Sequence, residues 1–139
     1  MTDVTPVLWI GFTCWITAQA LKYVLAGKER SLVHFTDSGG MPSSHSAVAC
    51  SAATVIGLTE GVSSSLFGLA VVVASIVMYD AVRVRWYLGT LAERVNALSE
   101  RAGAPNLAQM VIWRGHRIRE VAAGALLGVG LSWALYVLF

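Results

Sequence analysis

Two histidines stand where apolar segments of this chain begin. His45 lies in Gly39-Gly40-Met41-Pro42-Ser43-Ser44-His45-Ser46, and His116 in Gly115-His116-Arg117-Ile118-Arg119-Glu120. Glu120 follows His116 by four residues, so on a helix the two side chains share a face. A carboxylate on one imidazole nitrogen fixes the tautomer and leaves the other nitrogen as a nucleophile or base. The glycine-rich run before His45 leads into a helix N-terminus, where backbone N–H groups favour an anion and the hydroxyls of Ser43 and Ser44 add donors. The same run also reads as an ordinary helix cap, with Ser43 or Ser44 at the N-cap. The two readings are compatible. With Lys22, Arg83 and Arg85 as nearby cations, the chemistry these residues suit is phosphoryl transfer. Cations would hold the phosphate oxygens, one histidine would attack phosphorus, and the other would protonate the leaving oxygen. Asp80 and Glu120 are too few carboxylates for a magnesium or two-metal centre. No metal and no cofactor is expected.

The elements that must position these residues are membrane helices. The chain has 139 residues, 56% of them hydrophobic and 13% charged, against roughly 25% charged in soluble domains. This composition indicates one transmembrane domain over residues 1–139, and no nucleic-acid partner. The N-terminus lacks a positive n-region and a small-residue cleavage site, so the first apolar stretch reads as a retained span. Cys14 and Cys50 sit in apolar surroundings and read as small buried hydrophobes.

Four spans are expected: Thr5 to Ala26, about Ser44 to Leu58, Ser65 to about Leu88, and about Ile118 to Phe139. The second is short and rich in Ala, Ser and Gly, which suits close helix packing, and Gly124 and Gly128 give the fourth a small-xxx-small face. That face suits a neighbouring helix or a homodimer. Within residues 89–114, Leu91, Val95, Leu98 and Ala102 recur at helical spacing between charged residues. They predict a surface amphipathic helix in the third connection, broken at Gly103–Pro105. The fold class is therefore an all-α integral membrane protein with about four transmembrane helices plus that amphipathic helix.

All ten Lys and Arg residues lie in or beside the first and third connections. The positive-inside rule puts both connections in the cytoplasm and both termini outside, as expected of a bacterial inner-membrane protein. Lys22, His45, Arg83, Arg85, His116 and Glu120 then meet at the cytoplasmic face. Asp80, i,i+3 to Arg83, reads either as a structural ion-pair partner of Arg83 or Lys22 or as a direct participant. Lys22 reads either as a snorkelling helix-end lysine or, with Gln19, as part of an inward polar face.

Pro42-Ser43-Ser44-His45 resembles the Pro-Ser-Gly-His motif of the phosphatidic acid phosphatase type 2 superfamily, which includes lipid phosphatases and vanadium haloperoxidases. His116-x3-Glu120 resembles that superfamily's final His-x3-Asp. The runs at 39–47, 78–85 and 115–128 are most similar to its divergent branch of short membrane proteins. The resemblance implies His116 as the nucleophile that forms a phosphohistidine, with Glu120 orienting it and His45 as general acid. It implies Lys22, Ser43 and the backbone at Ser44 as phosphate ligands, with Arg85, or else Arg83 or Arg114, supplying the guanidinium. The pattern also departs from the superfamily. No Arg-Pro follows Lys22, Met110 stands where an arginine precedes the last histidine, Ser44 replaces glycine, and Glu120 replaces aspartate. The expected function is a membrane-embedded, metal-independent phosphatase acting on a lipid or prenyl phosphate or diphosphate. The alternatives are a non-catalytic binder or transporter of phosphorylated lipids, including a pseudoenzyme, and a structural membrane subunit.

Overall fold

The computed structural model describes residues 5–25, 40–103 and 116–138. These form α1 (Thr5–Leu25), α2 (Ser44–Glu60), α3 (Ser65–Tyr79), a π-helical turn (Asp80–Val84), α4 (Arg85–Arg101) and α5 (Ile118–Leu138). Among the described residues there is no strand. The helix starts are written in the sequence. Ser43 caps α2 by accepting the Ser46 N–H at 3.4 Å, and Ser64 caps α3 by accepting the Phe67 N–H at 3.1 Å. α2 ends at Gly61, which takes a φ of +84°. That left-handed region is open to glycine at little cost.

α2 is the centre of the bundle, packed by α1, α3 and α5. It buries Ser44, Ser46, Ala47, Cys50, Ser51, Ala53 and Val55. Small side chains there let the neighbouring helices approach closely. At two positions the approach is close enough to need glycine. A Cβ on Gly124 of α5 would collide with the Ser43 carbonyl, and one on Gly128 with the Ala47 carbonyl. The small-residue face of α5 is thus taken up inside the chain. A buried polar relay crosses the same core. The Ser132 hydroxyl donates to Ser51 Oγ at 2.8 Å, with Cys14 Sγ 3.6 Å from Ser132 Oγ. Both cysteines are buried and free.

Among the described residues, three helical stretches are long and apolar enough to cross a membrane: Pro6–Leu25, Ser65–Arg101 and Ile118–Leu138. The expected second span, α2, is not among them. Its 17 residues span only about 25 Å at about 1.5 Å each. The physical reason lies in its surroundings. A helix enclosed by other helices meets side chains rather than lipid, so serines and alanines serve it better than leucines.

The amphipathic helix also differs from expectation. It is not a separate surface element but α4, which continues α3 through the π-helical turn. The change from apolar to charged residues near Leu88 reports a change of environment. No proline interrupts the backbone there, so the helix carries on to Arg101. Gly103, with a φ of +67°, follows its end. The expected break at Gly103–Pro105 continues outside the described residues.

Candidate active site

Hydrogen bonds between four segments build the site. The Ser43 N–H donates to the Glu120 carbonyl at 2.9 Å, joining the approach to α2 to the first turn of α5. The His116 N–H donates to the Ala81 carbonyl at 3.0 Å, joining α5 to the π-helical turn. Lys22 of α1 is buried, and its Nζ donates to Ser44 Oγ at 3.3 Å. Its inward reading, rather than snorkelling, is the one the fold realises.

The π-helical turn has a structural use here. Inside it the Arg85 N–H donates five residues back, to the Asp80 carbonyl. A ladder that returns from this spacing to the usual four leaves one carbonyl without a donor in its own helix. The next carbonyl, that of Ala81, is the one that receives His116. The extra residue of the turn thereby anchors the backbone of the candidate nucleophile.

Glu120 holds the side chain. Its Oε2 lies 3.0 Å from His116 Nδ1 and 3.2 Å from the Arg117 N–H. Arg117 precedes the first residue of α5, so Glu120 is also the third-residue carboxylate that closes the helix start. An oxygen that accepts from a backbone N–H is an acceptor, so Nδ1 carries the proton and Nε2 carries the lone pair. Nε2 is buried and has no hydrogen-bond partner among the described residues. Burial pushes the His116 imidazole below its ordinary pKa range. The charges of Lys22 and Arg85 push the same way, while the hydrogen bond and charge of Glu120 resist. The ring is therefore held neutral, the form a nucleophile requires.

His45, exposed near the start of α2, belongs to the same centre. The charges of Arg85 and Lys22 act on its ring, opposed by Asp80, and His116 lies close enough to couple with it. The arginines separate clearly. Arg85 acts on both histidines, whereas Arg83 is exposed and lines a cavity that His116 also borders. Arg114 and Gly39 lie outside the described residues. Ser43 is fully buried, and its hydroxyl accepts from the N–H and the hydroxyl of Ser46. The backbone N–H groups of Ser44 and His45, in the first turn of α2, are those a helix start leaves without intrahelical partners.

Lys22, Ser43, Ser44, His45, Arg85, His116 and Glu120 therefore converge from four segments, with Asp80 beside them. Sequence reasoning missed Ala81 and the backbone of Arg117. Neither carries a side-chain signal, because both act through the main chain.

A model of the Divergent PAP2 family matches residues 4–131. The chain is also similar to the "Uncharacterized membrane protein YuiD" of Bacillus subtilis (strain 168), at 35% identity over 118 residues, covering 75% of each chain. No solved structure matches the chain.

Proposed function

The chain belongs to the Divergent PAP2 family, and from that premise we propose that it is a membrane-embedded, metal-independent phosphatase of a lipid or prenyl phosphate or diphosphate. One observation carries the reading: His116 has Nδ1 tied to Glu120 while its buried Nε2 faces no hydrogen-bond partner among the described residues. A structural histidine in a core normally satisfies both nitrogens. A nucleophile keeps one lone pair bare.

In the proposed reaction, His116 Nε2 attacks phosphorus and forms a P–N bond. The P–O bond to the lipid breaks, and His45 gives its proton to the leaving oxygen. Lys22, Arg85 and the first-turn amides of α2 neutralise the charge that builds on the phosphoryl oxygens. Water then attacks the phosphohistidine and gives its proton to His45. The P–N bond breaks, inorganic phosphate leaves, and both histidines return to their starting states. Glu120 orients the His116 ring and offsets its positive charge in the intermediate.

The lipid nature of the substrate is supported by three membrane-length apolar helices. We further propose that α2 completes a four-span bundle in a bacterial inner membrane, with the site at the cytoplasmic face. One observation favours the non-catalytic binder instead: the His116 side chain is wholly enclosed, with 0% exposure.

Phosphate release from lipid and prenyl mono- and diphosphates, by detergent-purified protein in EDTA, separates the two readings. Release is expected, abolished by His116→Ala and reduced about 10²–10⁴-fold by His45→Ala. A wild-type rate in His116→Ala would refute the phosphohistidine. Protection of the protein by these lipids without any release would establish the binder.

A further inference from the structure

The continuous helix made by α3, the π-helical turn and α4 is longer than a bilayer needs. It runs over Ser65–Arg101, 37 residues, whereas an upright crossing uses about 20. The excess matches the 17 residues of α4, which then stands clear of the bilayer. Among the described elements α4 packs chiefly against the π-helical turn from which it grows. It nevertheless carries an apolar stripe. Leu88, Leu91, Val95 and Leu98 are between 38% and 64% exposed, and their spacing alternates three, four, three. That is the narrow seam of a coiled coil, not the wider face of a helix that packs on a globular core. The stripe also points away from its own chain. Trp86, Gly89 and Glu93 line the cavity beside the start of α5, and they precede Leu88, Leu91 and Val95 by two residues each. Two residues turn a helix by about 200°, so the stripe lies on the side opposite α5.

We propose that α4 pairs with α4 of a second copy of this chain, as a parallel two-stranded coiled coil beside the membrane. Two copies in one membrane share an orientation, so their α4 helices leave the bilayer side by side and parallel. In heptad register Leu88 and Val95 take the a positions, and Leu91 and Leu98 the d positions. Leucine at d with a β-branched residue at a suits two strands. Arg94 and Arg101 take the g positions. An antiparallel pair would set these two rows against each other, arginine on arginine. A parallel pair instead sets Arg94 beside Ser99 of the second copy. Charge thus agrees with the orientation that a shared membrane imposes. Two heptads are marginal as an isolated peptide. Here α4 is already nucleated as the continuation of α3, and confinement to one membrane raises the effective concentration. The pairing would also steady the π-helical turn, whose Ala81 carbonyl holds the His116 backbone.

Cysteine cross-linking of the full chain in isolated membranes tests the pairing, with copper phenanthroline as oxidant and a non-reducing gel as readout. It reads assembly, so its result stands whether or not the chain proves to be a phosphatase. Cys14 and Cys50 are buried and keep the background low. Leu91→Cys and Leu98→Cys, each expressed alone, should both give a disulfide-linked dimer, because in a parallel seam every d residue meets its own counterpart. Glu100→Cys, on the outer side of α4, should stay monomeric. In detergent, Leu91→Glu/Leu98→Glu should weaken the dimer by about 100-fold or more, read by light scattering. Its thermal midpoint should not change, since both side chains are exposed in the single chain. Cross-linking at neither leucine would overturn the pairing and leave the stripe to the bilayer surface or to another protein. Linkage only between Leu91→Cys and Leu98→Cys chains mixed together would make the helices antiparallel and overturn the arrangement. Equal linkage at Glu100→Cys, or a Leu91→Glu/Leu98→Glu variant that stays dimeric, would show that α4 is not the interface.

Discussion

Glu120 does two jobs with one oxygen, and the two can be told apart. As a helix-start residue it accepts the Arg117 N–H, and as a positioning residue it accepts His116 Nδ1–H. Glutamine keeps an acceptor for both but removes the charge. A purely structural Glu120 would tolerate that change. A positioning Glu120 would not, because its charge opposes the burial that lowers the His116 pKa. The sign follows directly. Attack needs neutral His116, so the acidic limb of kcat/KM should fall below the ordinary imidazole range. In Glu120→Gln the restraint is gone, and the limb should move further toward acid. kcat should drop by about 10²-fold or more, since the imidazolium-like intermediate loses its counter-charge. A pH–rate profile measures both, and an unchanged limb with an unchanged kcat would leave Glu120 only its cap. The His116–Glu120 pair was legible because i,i+4 spacing is geometry that any helix imposes. The link from His116 to the Ala81 carbonyl was not, because an inserted π-helical residue leaves no trace in a 3.6-residue periodicity.

Elements meet most tightly where α5 crosses α2, and there backbone lies against backbone. Gly128→Ala would drive a methyl group into the Ala47 carbonyl, and Gly124→Ala would do the same at Ser43. Each helix must then shift, at a typical cost of about 1–3 kcal/mol. Gly130, two residues beyond Gly128 on the same helix, has nothing within 4 Å of its would-be Cβ. Alanine there should be neutral or slightly stabilising, since it favours the helix by up to about 1 kcal/mol. Thermal unfolding in detergent should therefore show a lower midpoint for Gly128→Ala and none for Gly130→Ala. Equal effects would mean that this helix contact does not hold the fold. Gly124→Ala should lower activity further than its stability loss explains, because the Ser43 segment links Glu120 to the start of α2. The small-xxx-small spacing of these glycines was visible in the sequence, but their partner was not. A glycine face looks the same whether it meets a helix of its own chain or of another. The start of α2 was legible for a different reason: Ser43 is a cap, and a cap is a local, chemical signal. The join of α3 to α4 was hidden because composition marks solvent exposure, while helix continuity depends on the backbone.

At the scale of the whole molecule, every group of the candidate site lies at one end of the bundle. Lys22 ends α1, His45 begins α2, Arg85 follows the π-helical turn, and His116 immediately precedes α5. The turn that joins α2 to α3, around Gly61, is at the other end and carries no lysine or arginine. If α2 crosses the membrane despite its length and its serines, these two ends must face opposite compartments. The buried Cys14 and Cys50 give little background to a thiol label. Ser63, exposed in the α2–α3 turn, and Ala102, exposed at the end of α4, can each be replaced by cysteine without disturbing the core. A membrane-impermeant maleimide applied to intact cells should label Ser63→Cys but not Ala102→Cys. Inverted vesicles should give the opposite pattern. Both positions labelled from one side would mean that the connection between the two ends does not traverse the bilayer, and α2 would be a buried core helix in a three-span protein. Labelling of Ala102→Cys from outside, with Ser63→Cys protected, would invert the protein and move the phosphate site to the external face. The predicted pattern leaves the phosphate-binding groups where the cations are and the substrate entering from the cytoplasmic leaflet.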